Sequence, residues 1–156
     1  MNESKEYLQD FEVDKLTNSI ENVITRDSFP TAITFLTKND LKTITKKNGW
    51  AFNWKAEFTQ NEREVYKLTI VNNSTIIQGL ISLTIKLDHV FLNLLESAPF
   101  NIGQNKVYAG VPGNMVAFAV NFLLEEAETA LFPFKLKPNS STITLKHWEQ
   151  CMLVVI

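Results

Sequence analysis

A glycine-containing turn at the start of a predicted helix is the segment whose residue types best fit a ligand site. It reads Lys106-Val107-Tyr108-Ala109-Gly110-Val111-Pro112-Gly113-Asn114-Met115. Glycine lets a backbone turn sharply and approach a ligand, and the first turn of a helix offers unpaired N–H groups and a partial positive charge. Gly110 and Gly113 therefore predict a phosphate site built from main-chain amides. The alternative is a turn that only starts a helix.

Two side chains are candidate general bases. Glu96 follows a predicted apolar strand, at the carboxyl end where open α/β sheets place their ligands; the alternative is a loop carboxylate that caps a turn. His147 carries an imidazole that titrates near physiological pH; the alternative is a histidine on a helix surface. The chain shows neither a nucleophile triad nor His-rich metal spacing, so no metal is expected.

The elements that position these residues follow from the spacing of apolar side chains. The spacing predicts helices over 13–24, 37–47 and 113–127, and strands over 31–36, 51–58, 65–71, 77–87, 90–95 and 130–136. Gly49 is expected to end the second helix. The order of strand 90–95, loop, helix and strand 130–136 is typical of a βαβ unit, which predicts a parallel central pair. Earlier strands, joined by short turns, should be antiparallel, so the expected fold class is α/β with a mixed sheet.

Length and composition exclude several classes of protein. The 156 residues fit one domain, expected over 13–156 after a loose tail over 1–12. Fifteen Lys and Arg against 17 Asp and Glu give a net charge of −2, so the chain lacks the excess of basic residues expected of a protein that binds nucleic acid. The basic run over 42–47 is interpreted as a solvated helix face. The lone Cys151 excludes a disulfide scaffold. With neither a signal peptide nor an apolar run of about 20 residues, a cytoplasmic protein without a membrane partner is expected.

At the glycine turn the chain resembles the GNAT superfamily of N-acetyltransferases. Their pyrophosphate loop follows a central strand and opens a helix, in the pattern Gln/Arg-x-x-Gly-x-Gly/Ala. Gly110 matches the first small residue, Val107 stands at the Gln/Arg position, Pro112 stands at the second small position, and Gly113 follows at once. The stretch 95–103, Leu-Glu-Ser-Ala-Pro-Phe-Asn-Ile-Gly, also looks like a group of uncharacterised bacterial GNAT-like proteins.

The resemblance covers about residues 13–135 and implies a GNAT-like acyl-CoA N-acyltransferase fold. It implies transfer of an acetyl group from acetyl-CoA to an amine acceptor that the sequence does not identify. Strand 90–95 would then bond the pantetheine arm, the loop would bond the pyrophosphate, and an N–H at Leu95 or Glu96 would polarise the thioester carbonyl. The cofactor-binding residues implied in this way are Leu94, Leu95, Val107, Tyr108, Ala109, Gly110, Val111, Pro112, Gly113 and Asn114. Glu96 and His147 are the candidate catalytic residues.

The C-terminal region departs from the family's pattern, as a shortened or diverged end. His147-Trp148 stands where the bacterial group has His-Tyr, so the tyrosine that often protonates the leaving CoA thiolate is missing. Pro133 interrupts the strand 130–136. These departures keep two alternatives open: an acyl-CoA-binding or regulatory protein without catalysis, and a partner-binding module without a ligand. The apolar end, Met152 to Ile156, predicts burial in the sheet or in an interface, so a homodimer is a further expectation.

Overall fold

One antiparallel sheet organises the structure. The computed structural model describes residues 18–86 and 89–130, with side chains as far as residue 121. Its strands are β1 (Ser19–Asn22), β2 (Ser28–Phe35), β3 (Glu64–Ile70), β4 (Asn73–Ile85), β5 (Val90–Ser97) and β6 (Tyr108–Ala109). They form a single curled sheet in the order β5-β4-β3-β2-β1-β6, and every one of these neighbouring pairs is antiparallel.

Helices in the described residues are short, with one exception. The 3₁₀ helices are η1 (Asp40–Lys42), η2 (Lys46–Asn48) and η3 (Pro99–Asn101), and the α-helices are α1 (Trp54–Phe58) and α2 (Val111–Ala130). Only α2, with 20 residues, is long enough to cover a face of the sheet.

Two hydrophobic clusters lie on opposite faces of the sheet, because successive side chains of a strand point to opposite sides. The first, called here the α1-side cluster, contains Leu36, Ile44, Trp50, Trp54, Val65, Ile77, Leu80 and Ala98. The second, called the α2-side cluster, contains Ile20, Tyr66, Leu68, Ile81, Leu83, Val111 and Met115. Val65 and Tyr66, adjacent in β3, belong to different clusters. The described chain is therefore three layers: the segment 36–58, the sheet, and α2.

The hairpin of β3 and β4 confirms the predicted strands 65–71 and 77–87, with bounds shifted by a few residues. Asn72 lies in the turn with a positive φ of 67°, a conformation that Asn adopts more readily than most residues. β5 and β2 likewise confirm the predicted strands 90–95 and 31–36.

The helix predicted over 13–24 is wrong in its described part, because β1 occupies Ser19–Asn22. A helix would place Ile20 and Ile24 on one face, but Ile20 is 1% exposed and Ile24 is 90% exposed. The side chain of Asn22 favours a turn over a helix here, because its Oδ1 accepts hydrogen bonds from the N–H groups of Ile24 and Thr25, at 2.9 and 3.1 Å. Short polar side chains bond the nearby backbone in this way and compete with a helix, and the resulting turn joins β1 to β2.

The helix predicted over 37–47 is also wrong, and two 3₁₀ turns stand in its place. Thr45 is extended, with φ −136° and ψ 156°, and its hydroxyl accepts the N–H of Asn48, so it caps a new turn and interrupts a longer helix. Gly49 ends that turn at φ 92°, as expected of a C-cap glycine. The strand predicted over 51–58 is wrong too: Asn53 Oδ1 accepts the N–H of Ala56 and starts α1.

The predicted GNAT-like fold, with a mixed sheet and a parallel central pair, is contradicted by the strand pairing. β5 runs antiparallel to β4, and after η3 the chain reaches β6, which pairs antiparallel with β1 at the opposite edge of the sheet. The connection over 98–107 thus joins one edge strand of the sheet, β5, to the other edge strand, β6. A spacing of apolar residues does not distinguish this route from a crossover to a neighbouring strand. Of the strand predicted over 130–136, residue 130 is the last residue of α2. Residues 131–136 and the tail 1–12 lie outside the described residues.

Candidate ligand-binding turn

The turn between β6 and α2 joins the sheet to the long helix. Gly110 follows β6 with a left-handed φ of 89°, and the helix begins at Val111. A side chain at Gly110 would be strained at that φ, so glycine lets the chain leave the strand and start the helix within one residue. The predicted glycine turn that opens a helix is therefore confirmed. The helix runs over 111–130, longer than the 113–127 predicted.

Asn114 holds the start of α2 on the sheet. Its Nδ2 donates to the carbonyl oxygens of Ser19, at 2.7 Å, and Gly110, at 3.1 Å, while its Oδ1 accepts from Thr31 Oγ1 at 2.7 Å. Asn114 is 1% exposed and Val111 is completely buried. The side chain of Asn114 thus serves the fold, and the helix start is fixed against β1 and β2.

The main-chain amides of the two glycines are the candidates for a ligand contact in this turn. In the part of the chain that the structure describes, the N–H groups of Gly110 and Gly113 bond no other protein group. The N–H of Asn114 donates to the Gly110 carbonyl at 3.0 Å, and Pro112 has none. Pro112 and Gly113 are exposed, and a Cβ on Gly113 would meet nothing within 4 Å. An anion can therefore approach this helix start.

The loop residues that precede the turn are already bonded within the protein. Val107 donates its N–H to the Phe100 carbonyl at 2.9 Å, and its own carbonyl accepts from Val23 N–H at 3.0 Å. The N–H of Tyr108 donates to Asn101 Oδ1 at 3.2 Å. These hydrogen bonds hold the loop in place, and the N–H groups of Val107 and Tyr108 are occupied by protein acceptors in this conformation.

β5 carries a β-bulge next to the predicted pantetheine positions. The pairing with β4 shifts register between Ser82 and Leu83, which leaves Asn93 as the additional residue of β5. Leu94 then packs against the α1-side cluster and Leu95 against the α2-side cluster. In the sheet of described residues β5 is an edge strand, so one row of its backbone groups points away from the sheet.

Glu96 is a buried carboxylate whose two oxygens are both in use. Oε1 accepts the N–H of Ala51 at 2.7 Å, and Oε2 accepts the indole N–H of Trp54 at 2.6 Å. Glu96 is 6% exposed, and it fastens the segment before α1 to the end of β5. Because Trp54 belongs to the α1-side cluster, Glu96 points to the face opposite α2, and the structure does not bring it together with the glycine turn. His147 lies outside the described residues.

Sequence reasoning missed two ion pairs on the α1 side of the sheet. Lys67 Nζ lies 2.9 Å from both carboxylate oxygens of Asp40, and Arg63 pairs with Glu57. Burial by itself would raise the pKa of Asp40, but hydrogen bonds from Thr37 and Lys67 and the charge of Lys67 outweigh it and lower that pKa below its usual value. The sequence does carry one signal of a buried ion pair, which is the single Lys67 between apolar neighbours in a predicted strand.

Comparison with family models, with curated proteins and with solved structures gave no match. Among the described residues no helix combines the length and apolar character needed to cross a membrane. The same residues contain no group of three or more His, Cys, Asp or Glu side chains placed to hold a metal ion.

Proposed function

We propose that this chain binds acetyl-CoA, with the diphosphate held by the main-chain N–H groups of Gly110 and Gly113. The observation that supports this proposal is the start of α2, where Pro112 and Gly113 are exposed and the amides of Gly110 and Gly113, without a protein partner among the described residues, meet the positive end of a 20-residue helix. Asn114 makes the site rigid, so little ordering is required when an anion binds. The proposal rests on this turn and does not require a parallel strand pair.

Transfer of the acetyl group to an amine is the reaction we propose for the bound thioester. The pantetheine arm would bond the outward edge of β5 near Leu94 and Leu95, in the way that an extended segment adds to a sheet edge. The N–H of Leu95 or Glu96 would polarise the carbonyl. The amine nitrogen attacks the thioester carbon, the C–S bond breaks, and the CoA thiolate takes up the proton released by the amine.

Binding of acetyl-CoA without transfer is the second candidate, and the contacts of Glu96 favour it. A general base must have a free oxygen within hydrogen-bond reach of the amine. Both oxygens of Glu96 accept hydrogen bonds from Ala51 and Trp54, on the face away from the glycine turn. Glu96 and His147 stay predictions as catalytic bases.

Titration calorimetry with acetyl-CoA tests the binding proposal. We expect Gly113→Glu to weaken binding by about tenfold or more, because the new carboxylate faces the diphosphate in open space. Gly113 is a cleaner position than Gly110, where the positive φ would add strain to any substitution. Gln104→Glu, at an exposed loop residue with the same change of charge, is the control and should bind as the parent does.

If the Gly113→Glu and Gln104→Glu proteins bind acetyl-CoA with equal affinity, the diphosphate does not bind at this turn. Release of CoA thiol in the presence of an amine panel then separates the two candidates: turnover supports transfer, and binding without turnover supports the second candidate. Absence of any heat with acetyl-CoA would overturn both.

We also propose, from composition and charge, a cytoplasmic protein that engages neither nucleic acid nor membranes. From the apolar end, Met152 to Ile156, we propose that it forms a homodimer. Light scattering coupled to gel filtration tests the last point, since a chain of 17.8 kDa that elutes with its monomer mass would contradict it.

A further inference from the structure

A cleft of about 690 Å³ opens on the α1 side of the sheet, between η1 and α1. Its floor consists of Leu41 and Phe58, which are half-buried and pack against the α1-side cluster. Its rim consists of Lys38, Lys42, Lys55 and Thr59, all exposed. A floor that is fixed to the core and a rim of flexible cationic side chains make a site in which the apolar and charged parts are separated.

The three lysines of the rim make no ion pair within the described residues. The ammonium groups of Lys38, Lys42 and Lys55 therefore have no carboxylate partner among these residues. Three such charges gathered around one cleft stand out in a chain whose net charge is −2.

Two carboxylates lie on the same two helical elements, and both are engaged elsewhere. Asp40, in η1, is bound by Lys67 of β3 at 2.9 Å. Glu57, in α1, pairs with Arg63 and accepts a hydrogen bond from Ser82 Oγ at 2.9 Å. Because the sheet holds these carboxylates, they do not neutralise the lysines, and the cleft stays positive.

We propose that this cleft binds a small amphipathic anion, with an apolar chain or ring on Leu41 and Phe58 and an anionic group among the lysines. An inorganic anion would leave the apolar floor in water, and an uncharged apolar molecule would leave the ammonium groups without a partner. The volume lies within the range of small-molecule sites. The site is on the opposite face of the sheet from α2, so it is independent of the proposed acetyl-CoA turn.

Nuclear magnetic resonance of the full chain tests the site with two carboxylate probes, octanoate and 2-naphthoate. At least one of them should bind and shift the methyl signals of Leu41. Inorganic phosphate and octan-1-ol, which carry only the charge or only the apolar part, should bind more weakly by about tenfold or more. Added salt should weaken binding of the carboxylate, because the lysines are exposed.

A matched pair of double variants separates this cleft from general attraction to positive charge. Lys42→Ala with Lys55→Ala removes two rim charges, and Lys46→Ala with Lys47→Ala removes two charges from η2 outside the cleft. The first pair should weaken binding of the responding carboxylate by about tenfold, and the second by less than about twofold. All four lysines are exposed, so neither variant should disturb folding.

Four outcomes would overturn the proposal. The first is that neither carboxylate binds the parent protein. The second is that phosphate binds as tightly as the carboxylates. The third is that both double variants lose binding equally. The fourth is that the chain binds vesicles of anionic phospholipid but not the free carboxylates, because that result would assign the lysines to a membrane surface.

Discussion

At the scale of single residues, Glu96 has a structural task that its position in the sequence did not reveal. It joins β5 to the segment 50–54 through two short hydrogen bonds, from Ala51 and from Trp54. Both donors are N–H groups, and the indole N–H of Trp54 is buried with the carboxylate, whereas the bond from Ala51 is partly buried. A buried donor that loses its acceptor costs free energy, so the identity of the accepting atoms matters at this position.

We therefore predict that Glu96→Gln lowers the free energy of unfolding by about 1–3 kcal/mol, because the amide NH₂ must face one of the two N–H donors. Urea unfolding followed by far-UV circular dichroism measures the change. Glu62→Gln is the matched control: the Glu62 side chain is 78% exposed, so its replacement should change the free energy by no more than about 0.5 kcal/mol. Equal stability of the two variants would mean that the Glu96 contacts contribute nothing to folding.

At the scale of elements, the crossing of α2 over β4 depends on one glycine. A Cβ added to Gly79 would lie 2.7 Å from Met115 Cε and 2.9 Å from Val111 Cγ1. The end of Met115 can move aside, but the short branched side chain of Val111 at the fixed helix start cannot. The close approach of strand and helix therefore requires the hydrogen side chain of Gly79.

Gly79→Ala should accordingly destabilise the protein by about 1–3 kcal/mol, through overpacking between β4 and α2. The thermal midpoint and the urea midpoint are both expected to fall. Gly113→Ala serves as control, since a Cβ there meets open space in the first turn of a helix, and stability should stay equal or rise slightly. If Gly79→Ala is as stable as its parent, the helix start moves more freely than its hydrogen bonds indicate.

The sequence predicts an individual element correctly where the spacing of its apolar residues is long and regular, but it does not predict the fold class. Alternation over 77–87 and the 3.6-residue spacing over 113–127 identify β4 and α2, because long amphipathic segments leave little choice. Side chains that cap turns explain the three wrong predictions, the helices over 13–24 and 37–47 and the strand over 51–58. Asn22, Thr45 and Asn53 accept hydrogen bonds from nearby N–H groups and start turns within segments whose apolar spacing predicts a different element. The glycine turn was predictable, whereas the cleft at Leu41 depends on contacts between separate segments.

At the scale of the whole molecule, the segment 36–58 is fastened to the sheet by carboxylates. Asp40 bonds Lys67 of β3, Glu57 bonds Ser82 of β4, and Glu96 of β5 bonds Trp54. Each pair joins a residue of this layer to a different strand. The floor of the lysine-rimmed cleft is part of the layer, so the shape of the cleft depends on these links.

This attachment predicts a contribution of Asp40 to stability that depends on pH. The folded-state pKa of Asp40 is lowered, from about 3.9 in an unfolded chain, by Thr37 and Lys67 against the effect of burial. A group with a depressed folded pKa stabilises the fold at pH values above its unfolded pKa, and the stabilisation is lost as the pH falls through the folded pKa. The contribution of Asp40 should therefore be complete above about pH 5 and should decline progressively as the pH falls below about 4, towards the lowered folded-state pKa.

Asp40→Asn isolates this contribution in urea unfolding measured between pH 7 and pH 3. At pH 7 the variant should be less stable by about 1–3 kcal/mol, since Lys67 loses a charged partner while its side chain is only 12% exposed. As the pH falls below the unfolded pKa, the parent should lose stability and the two curves should converge. Asp27→Asn, at an exposed aspartate, should follow the parent at every pH. A constant difference between parent and Asp40→Asn across the whole range would show that the ionised carboxylate of Asp40 does not hold this layer on the sheet.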